Sequence, residues 1–309
     1  MSATSPVPET AIARPRHRRL SRYNTELGLL LAPFVIGAAL LVVLPVLATL
    51  VLAFMEYDAL SAPVWSGLQN FVTIFRRDVF WTAVWNSLAY VGMAAPLQLL
   101  GALGLALLLH PQRYGVRQYR VSAYLPSVIP DVAYALIWLW IFNPLYGPLN
   151  KILGGVGLPQ PAWLVDADTA LVSLVIMSAF RIGEGMMILI AALQLIPTDY
   201  FQAAALDGGN RWQIFRYVTW PLLVPWLLLL FIRDILLSAQ SSFVPVFMMT
   251  EGGPGYATTL LPYLIYEEAF NHLRLGHAAS MMVVLLIAIG LLLWLIYRLA
   301  GGWGYTDEI

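Results

Sequence analysis

The sequence predicts an all-α integral membrane protein with six transmembrane helices and a short extramembrane helix between the fourth and the fifth. Three observations carry this reading. First, 60% of the 309 residues are hydrophobic and only 11% are charged, against about 25% charged in an ordinary soluble domain. Second, six long apolar stretches, at about 20 residues per crossing, use up the chain once their loops are added. Third, the basic residues gather in alternate loops, as the cytoplasmic side of a membrane protein favours. The 17 basic and 17 acidic residues cancel, which leaves no cationic surface for nucleic acid. With no cysteine, disulfides, thiol catalysis, zinc–thiolate sites and iron–sulfur clusters are excluded together.

Residues 1–27 form a polar arm in which Arg14, Arg16, Arg18, Arg19 and Arg22 face only Glu9 and Glu26. The apolar run that follows, 28–54, exceeds the roughly 7 to 15 residues of a signal-peptide core. It is read as the first span, so that residues 28–80 hold this span and an external loop. The remaining spans are expected over 81–109, 121–142, 169–196, 219–247 and 278–299, giving a membrane core of 81–299 and a tail of 300–309. With the N-terminus inside, the arm's arginines are joined by Arg113, Arg117, Arg120, Arg211, Arg216 and Arg298, against Arg76, Arg77, Lys151 and Arg274 outside. Both termini are therefore expected in the cytoplasm, in a multi-pass protein of a bacterial-type plasma (inner) membrane surrounded by lipid. Pro96, Pro126, Pro130, Pro221 and Pro225 interrupt the spans or open them. Such breaks are tolerated where neighbouring helices satisfy the freed carbonyls, and they favour a mobile bundle over a rigid anchor.

No enzyme signature is present. A P-loop needs Gly-x-x-x-x-Gly-Lys followed by Ser or Thr, and the sole lysine, Lys151, precedes Ile152. Neither an H-E-x-x-H zinc helix nor a G-x-S-x-G nucleophile elbow occurs. No cofactor or metal is expected. His17, His110, His272 and His277 fall in the arm, at helix ends or in a loop, and His272 and His277 read as solvated loop residues.

The most informative stretch is Ile196-Pro197-Thr198-Asp199-Tyr200-Phe201-Gln202-Ala203-Ala204-Ala205-Leu206-Asp207-Gly208-Gly209. Thr198 is expected to cap a short helix, Asp199 to favour its positive end, and the alanines to propagate it. Gly208 and Gly209 stop it. A second short helix is expected from Asn210, with Trp212, Phe215 and Tyr217 near its surface and Pro221 opening the next span. The result is a rigid handle on the cytoplasmic side, suited to being pushed by another protein. Gln202, Ala203, Ala204, Asp207, Gly208, Arg211 and Phe215 are its candidate contact residues.

This string resembles the E-A-A-x-x-D-G-A…F…P signature of the permease subunits of binding-protein-dependent ATP-binding-cassette importers. The resemblance covers most of residues 81–299 and is nearest to the carbohydrate-uptake branch, the maltose and glycerol-phosphate type. Further matches are Asn86-Ser87, Leu125-Pro126, Pro130, Trp138 and Trp163-Leu164. Thr250-Glu251-Gly252-Gly253-Pro254-Gly255 resembles the family's T-x-G-G-P-x turn, and Gly276-His277-Ala278-Ala279-Ser280 its opening of the last helix. Gln202 stands where the family has glutamate, so a charge-assisted contact becomes a neutral hydrogen bond. The resemblance implies separate ATPase subunits docked on the handle, a coupling helix. It also implies a second permease subunit completing a heterodimer, an extracytoplasmic solute-binding protein, and a sugar-like substrate moved by alternating access.

Ionisable groups inside a membrane helix are functional candidates by default. Arg181 and Glu184, three apart on the expected fourth helix, share a face. From Asp234 in the fifth, Ser238 and Ser241 extend one face. Met177, Phe180, Arg181 and Glu184 are thus expected to meet Asp234, Ser238, Ser241 and Gln240 across a cavity suited to a polyhydroxy ligand. Against this stands an intrahelical Arg181–Glu184 pair with Arg233 snorkelling, since buried ion pairs are often structural. Asp131 beside Pro130 is a weaker candidate. The loop 249–277, with its glycine-rich turn, Glu267, Glu268 and Arg274, reads as a flexible polar contact for a delivery protein or as plain solvated chain. The alternative function is an ion-coupled secondary transporter using Arg181, Glu184 and Asp234.

Overall fold

The computed structural model describes residues 17–111 and 114–300. Arg14, Arg16, Arg113 and the tail beyond 300, on which part of the orientation rests, lie outside the described residues. Four continuous helices are long and apolar enough to cross a membrane: Leu27–Leu52, Asp78–Leu109, Arg211–Met249 and Leu275–Arg298. Two broken pairs, Val116–Val128 with Asp131–Ile141 and Ala167–Ser178 with Gly183–Leu195, bring the number of spans to six when each pair is taken as one.

The third and fourth spans are therefore not the continuous helices expected from their composition. The third bends by 102° because the ring of Pro130 disfavours helical backbone at the residue before it. Ile129 is extended (φ −70°, ψ 130°), and Pro130 starts the next half-helix as its N-cap. Pro126, four residues earlier, stays inside its helix. The fourth span bends by 43° without any proline, at Ala179–Ile182.

The fifth span begins earlier than expected. Arg211–Ile214, a π-helical turn Phe215–Thr219 and Trp220–Ser241 follow one another without interruption, so the second arm of the handle is the end of the span itself. Proline clashes with the carbonyl four residues before it. A wider π turn directly ahead of Pro221 gives that carbonyl room.

The chain divides into two compact units, up to Val51 and from Leu52 onward. In the first, a π turn Ala39–Val43 interrupts the helix shortly before Pro45, and Leu29, Leu30, Phe34 and Leu41 are largely exposed. Such a surface suits lipid, whose tails are as apolar as leucine.

The second unit holds three apolar clusters. One joins Tyr90, Tyr134, Trp138, Phe142, Leu174, Val246 and Tyr263. Another joins Leu103, Met186, Leu189, Leu193, Leu223 and Leu230. The third, around Ile74, Phe80, Leu264 and Met281, lies near the small hairpin Met55–Glu56 with Val64–Trp65. Ala94, Ala95, Ala102 and Ala106 of the second span are buried, small residues that let neighbouring backbones come close. The tightest approach is at Gly183, where a Cβ would stand 2.6 Å from Tyr124 Cα and 2.8 Å from the Ala123 carbonyl oxygen.

Candidate functional site

The two broken spans face a polar cavity of about 370 Å³. Its walls come from the second span (Tyr90, Gln98), both halves of the third (Ser127, Asp131), both halves of the fourth (Met177, Ser178, Glu184) with Arg181 at the break, and the fifth (Arg233, Asp234, Ser238, Ser241). Breaking a helix frees backbone carbonyls that lipid cannot satisfy, and neighbouring side chains take them up here. Tyr134 Oη donates to the Met177 oxygen at 2.9 Å, and Gln98 Nε2 to the Ser178 oxygen at 3.3 Å. Arg181 closes the break of the third span: it donates to Asp131 and to the Ile129 carbonyl (3.3 Å), and lies 5.0 Å from the centre of the Tyr134 ring.

The charges pair between spans rather than along one helix. Arg181 bonds Asp131, while Arg233 bonds Glu184 across the cavity and Asp234 beside it at 3.2 Å. The alternative of an intrahelical Arg181–Glu184 pair does not form, because the break at Ala179–Ile182 puts Arg181 outside the helix that begins at Gly183, and the two do not share one helical face as their spacing suggested. Arg233 does not snorkel away; it ties the fourth span to the fifth. Met177, Arg181, Glu184, Asp234, Ser238 and Ser241 all line the cavity, the last three along one unbroken helix and Arg181 and Glu184 from either side of the break. Phe180 does not: it lies on the same break, its ring 5.0 Å from Trp138, outside the lining. Gln240 is likewise outside it. Asp131, weighted lightly in the sequence, is an ion-pair partner on the wall, and Tyr90, Gln98, Ser127 and Ser178 carried no sequence signal of their own. Ser238 Oγ and Ser127 Oγ are buried without a hydrogen-bond partner.

The loop between the fourth and fifth spans forms the expected elbow. The helix Thr198–Leu206 has Pro197 as its N-cap and Asp199 in its first turn; Thr198 is the first helical residue, not the cap. Gly208 adopts φ +80°, a conformation that side chains with a Cβ disfavour. At Gly209 a Cβ would meet the Ala204 carbonyl oxygen at 2.7 Å. Asn210 and Gln213 then form a reciprocal capping box at 2.9 and 2.8 Å. Gln202, Ala203, Asp207, Gly208 and Arg211 are exposed, as are Trp212 and Tyr217, and Ala204 and Phe215 are half-buried. Phe215 sits between Trp212 and Trp220. Phe201 and Trp220 pack on the cluster of the second, fourth and fifth spans, the same spans that contribute residues to the cavity.

The loop between the fifth and sixth spans is pinned, not flexible. Thr258 Oγ1 donates to the Gly253 carbonyl and Thr259 Oγ1 to that of Gly252. Asn86 Nδ2 reaches the Tyr256 and Thr259 carbonyls from the second span, and Ser87 Oγ accepts from the Leu261 amide. Nor is Glu268 solvated: it is fully buried, 2.7 Å from Arg77, with His272, His277 and Arg274 at 3.5 to 3.8 Å. Burial alone would raise its carboxyl; the facing His277, an electrostatic neighbour at 3.5 Å, and the Arg77 bond outweigh that and lower it to about 2.

A polar cavity at paired helix breaks, with an exposed glycine elbow packed on the same spans, defines a membrane transport subunit. The chain belongs to the family described as the binding-protein-dependent transport system inner membrane component, which matches residues 98–301, and is a permease subunit of an ATP-binding-cassette importer. It is 34% identical over 305 residues to the probable ABC transporter permease protein YesP of Bacillus subtilis (strain 168), covering 96% of this chain and 97% of that one. It is 29% identical to the trehalose/maltose transport system permease protein MalF of Thermococcus litoralis, over 84% of this chain and 87% of that one. Among solved structures, a bacterial ABC transporter involved in the import of the acidic polysaccharide alginate matches with a TM-score of 0.77 at 21% identity, covering 92% of this chain and 99% of that one. These relatives are permeases rather than enzymes, and the ion-coupled alternative is not favoured.

Proposed function

We propose that this permease imports a sugar or related polyhydroxy solute through the cavity between its broken spans. The observation that carries the reading is the lining: carboxylates, guanidiniums, an amide and hydroxyls converge on one space of the size of small-molecule sites, about 300 to 1,000 Å³. Met177, Arg181, Glu184, Asp234, Ser238 and Ser241 form the solute path on this side, with Asp131 and Arg233 holding the charges in place. Phe180 lies at its margin. The names of relatives support a saccharide, since one is a trehalose/maltose permease and another comes from an alginate importer. One of these solutes is neutral and the other acidic.

ATP is hydrolysed on separate subunits, which dock on the elbow through Gln202, Ala203, Ala204, Asp207, Gly208, Arg211 and Phe215. Closure of the ATPase pair pushes the helix Thr198–Leu206, and Phe201 and Trp220 pass the movement to the spans, which alternate between inward-open and outward-open. A second permease supplies the opposite wall, a solute-binding protein delivers the ligand from outside, and both termini lie in the cytoplasm. Residues 81–299 act as the transport core, with the arm 1–27, the first span and loop 28–80 and the tail 300–309 around it.

The test is uptake by the reconstituted complex with its binding protein, for Glu184→Gln, Asp234→Asn and Ser238→Ala, alongside melting temperature and assembly. A solute contact raises the half-saturation concentration, or abolishes transport, with little change in melting. A purely structural pair instead lowers melting or assembly, more for Asp234→Asn, whose carboxyl is buried, than for Glu184→Gln, which is about half exposed and screened. Import by all three variants at the parent's rate and half-saturation concentration overturns the assignment.

A further inference from the structure

We infer that the cavity selects uncharged saccharides and rejects acidic ones, with Glu184 and Asp234 as the specificity-determining residues. The inference rests on the reading of this cavity as the solute path. Among the described residues, the charged groups on its lining are three carboxylates, Asp131, Glu184 and Asp234, and two guanidiniums, Arg181 and Arg233. Each arginine is already engaged. Arg181 is held by Asp131, the Ile129 carbonyl and the Tyr134 ring, and Arg233 is shared between Glu184 and Asp234. An anionic ligand would therefore find no free cation. To recruit Arg181 or Arg233 it would have to strip a carboxylate of its partner, and one of these carboxylates, Asp234, is buried.

The arrangement also carries one carboxylate more than it has guanidiniums. Arg233 cannot neutralise both of its neighbours, and one negative charge remains on the wall. A uronate or sulfonate seated about 8 Å from it, at an effective dielectric constant near 20, would bind about thirtyfold more weakly than an uncharged ligand of the same shape. A neutral saccharide meets no such repulsion. Its hydroxyls donate to the carboxylate oxygens that the two arginines leave open, and such charge-assisted bonds are roughly twice as strong as neutral ones. A second, independent observation marks the same wall as a ligand site. Ser238 is 97% buried, lines the cavity and has no partner for its hydroxyl. A buried hydroxyl without a partner costs free energy, and turning this hydroxyl toward the cavity to meet a ligand hydroxyl would remove that cost.

The experiment is calorimetric titration of the whole importer, with both permeases and its ATPase, in lipid nanodiscs. Maltotriose and raffinose are the neutral probes and trigalacturonate the anionic one. The parent complex should bind at least one neutral trisaccharide more tightly than trigalacturonate by about thirtyfold or more, since the three carboxylates of the latter make the single-charge figure a lower bound. Because the opposite wall belongs to the second permease, the decisive reading is the change in that gap on altering this chain. Glu184→Gln and Asp234→Asn each remove one negative charge and should each narrow the gap to a few fold. Trigalacturonate binding as tightly as the neutral probes in the parent overturns the inference while leaving a saccharide permease intact. A gap unchanged in both variants also overturns it, placing selection elsewhere. If none of the three saccharides binds, the polyhydroxy reading falls and the inference with it.

Discussion

Gly183 should be among the least replaceable residues of the membrane core, and Gly183→Ala is the perturbation that shows it. The ideal Cβ would lie 2.6 Å from Tyr124 Cα, 2.8 Å from the Ala123 carbonyl oxygen and 2.9 Å from Ser127 Oγ. An ordinary contact begins near 3.4 Å, so the two half-helices must part by about 0.8 Å (3.4 less 2.6), and two of the three obstacles are backbone that no rotamer change can clear. Overpacking of this kind costs about 1 to 3 kcal/mol, and the backbone contacts put Gly183→Ala at the upper end, about 3 kcal/mol. At roughly 2 to 4 °C per kcal/mol for a chain of this order of size, melting should fall by about 6 to 12 °C. Ser127 belongs to the displaced segment and lines the cavity, so uptake should fall as well. Gly104→Ala is the control, since nothing lies within 4 Å of its Cβ and alanine gains up to about 1 kcal/mol of helix propensity over glycine. Melting curves of the purified complex, with uptake in parallel, make the comparison. If Gly183→Ala melts together with Gly104→Ala, the close approach of the two half-helices is wrong.

Three further outcomes are expected. Gly208→Val forces a β-branched residue to φ +80°, at about 1 to 2 kcal/mol, and should lower solute-stimulated ATP hydrolysis and uptake while the protein still inserts; normal transport with the ATPase bound would refute the elbow. Gln202→Glu restores the residue usual in the family, and co-purification of the ATPase over a salt series should show attachment kept or tightened, whereas loss would mean that the partner surface suits the amide. Glu268 has its carboxyl lowered to about 2 from an ordinary 4.5, so its contribution is present above about pH 4.5 and drains away as the pH falls toward 2. Melting temperature should be flat from neutral pH to about 5 and drop below that, and Glu268→Gln, about 3 kcal/mol less stable at neutral pH, should flatten the acid limb.

What the sequence made legible follows from how local each signal is. Spans can be read from composition because lipid demands apolar side chains along the whole crossing. Asp234, Ser238 and Ser241 could be aligned by counting because the helix Trp220–Ser241 is unbroken. The same counting fails for Arg181 and Glu184, since it assumes a helix that stops at Ala179 and restarts at Gly183. No proline announces that stop. The signal, Gly183, acquires its meaning only beside the backbone of Ala123 and Tyr124, some 60 residues earlier. Glu268 is illegible for a stronger version of the same reason: its partner Arg77 is 191 residues away, and nothing near Glu268 marks it as buried. The misread break is also what makes the site. On a continuous helix Arg181 and Glu184 would neutralise each other on one face and need no other span. Parted by the break, Arg181 reaches Asp131 on the third span and Glu184 reaches Arg233 on the fifth. Charges that would have been a local ion pair thereby tie three spans together around the cavity, so movement of one of those spans relative to another changes the pairing that a solute meets.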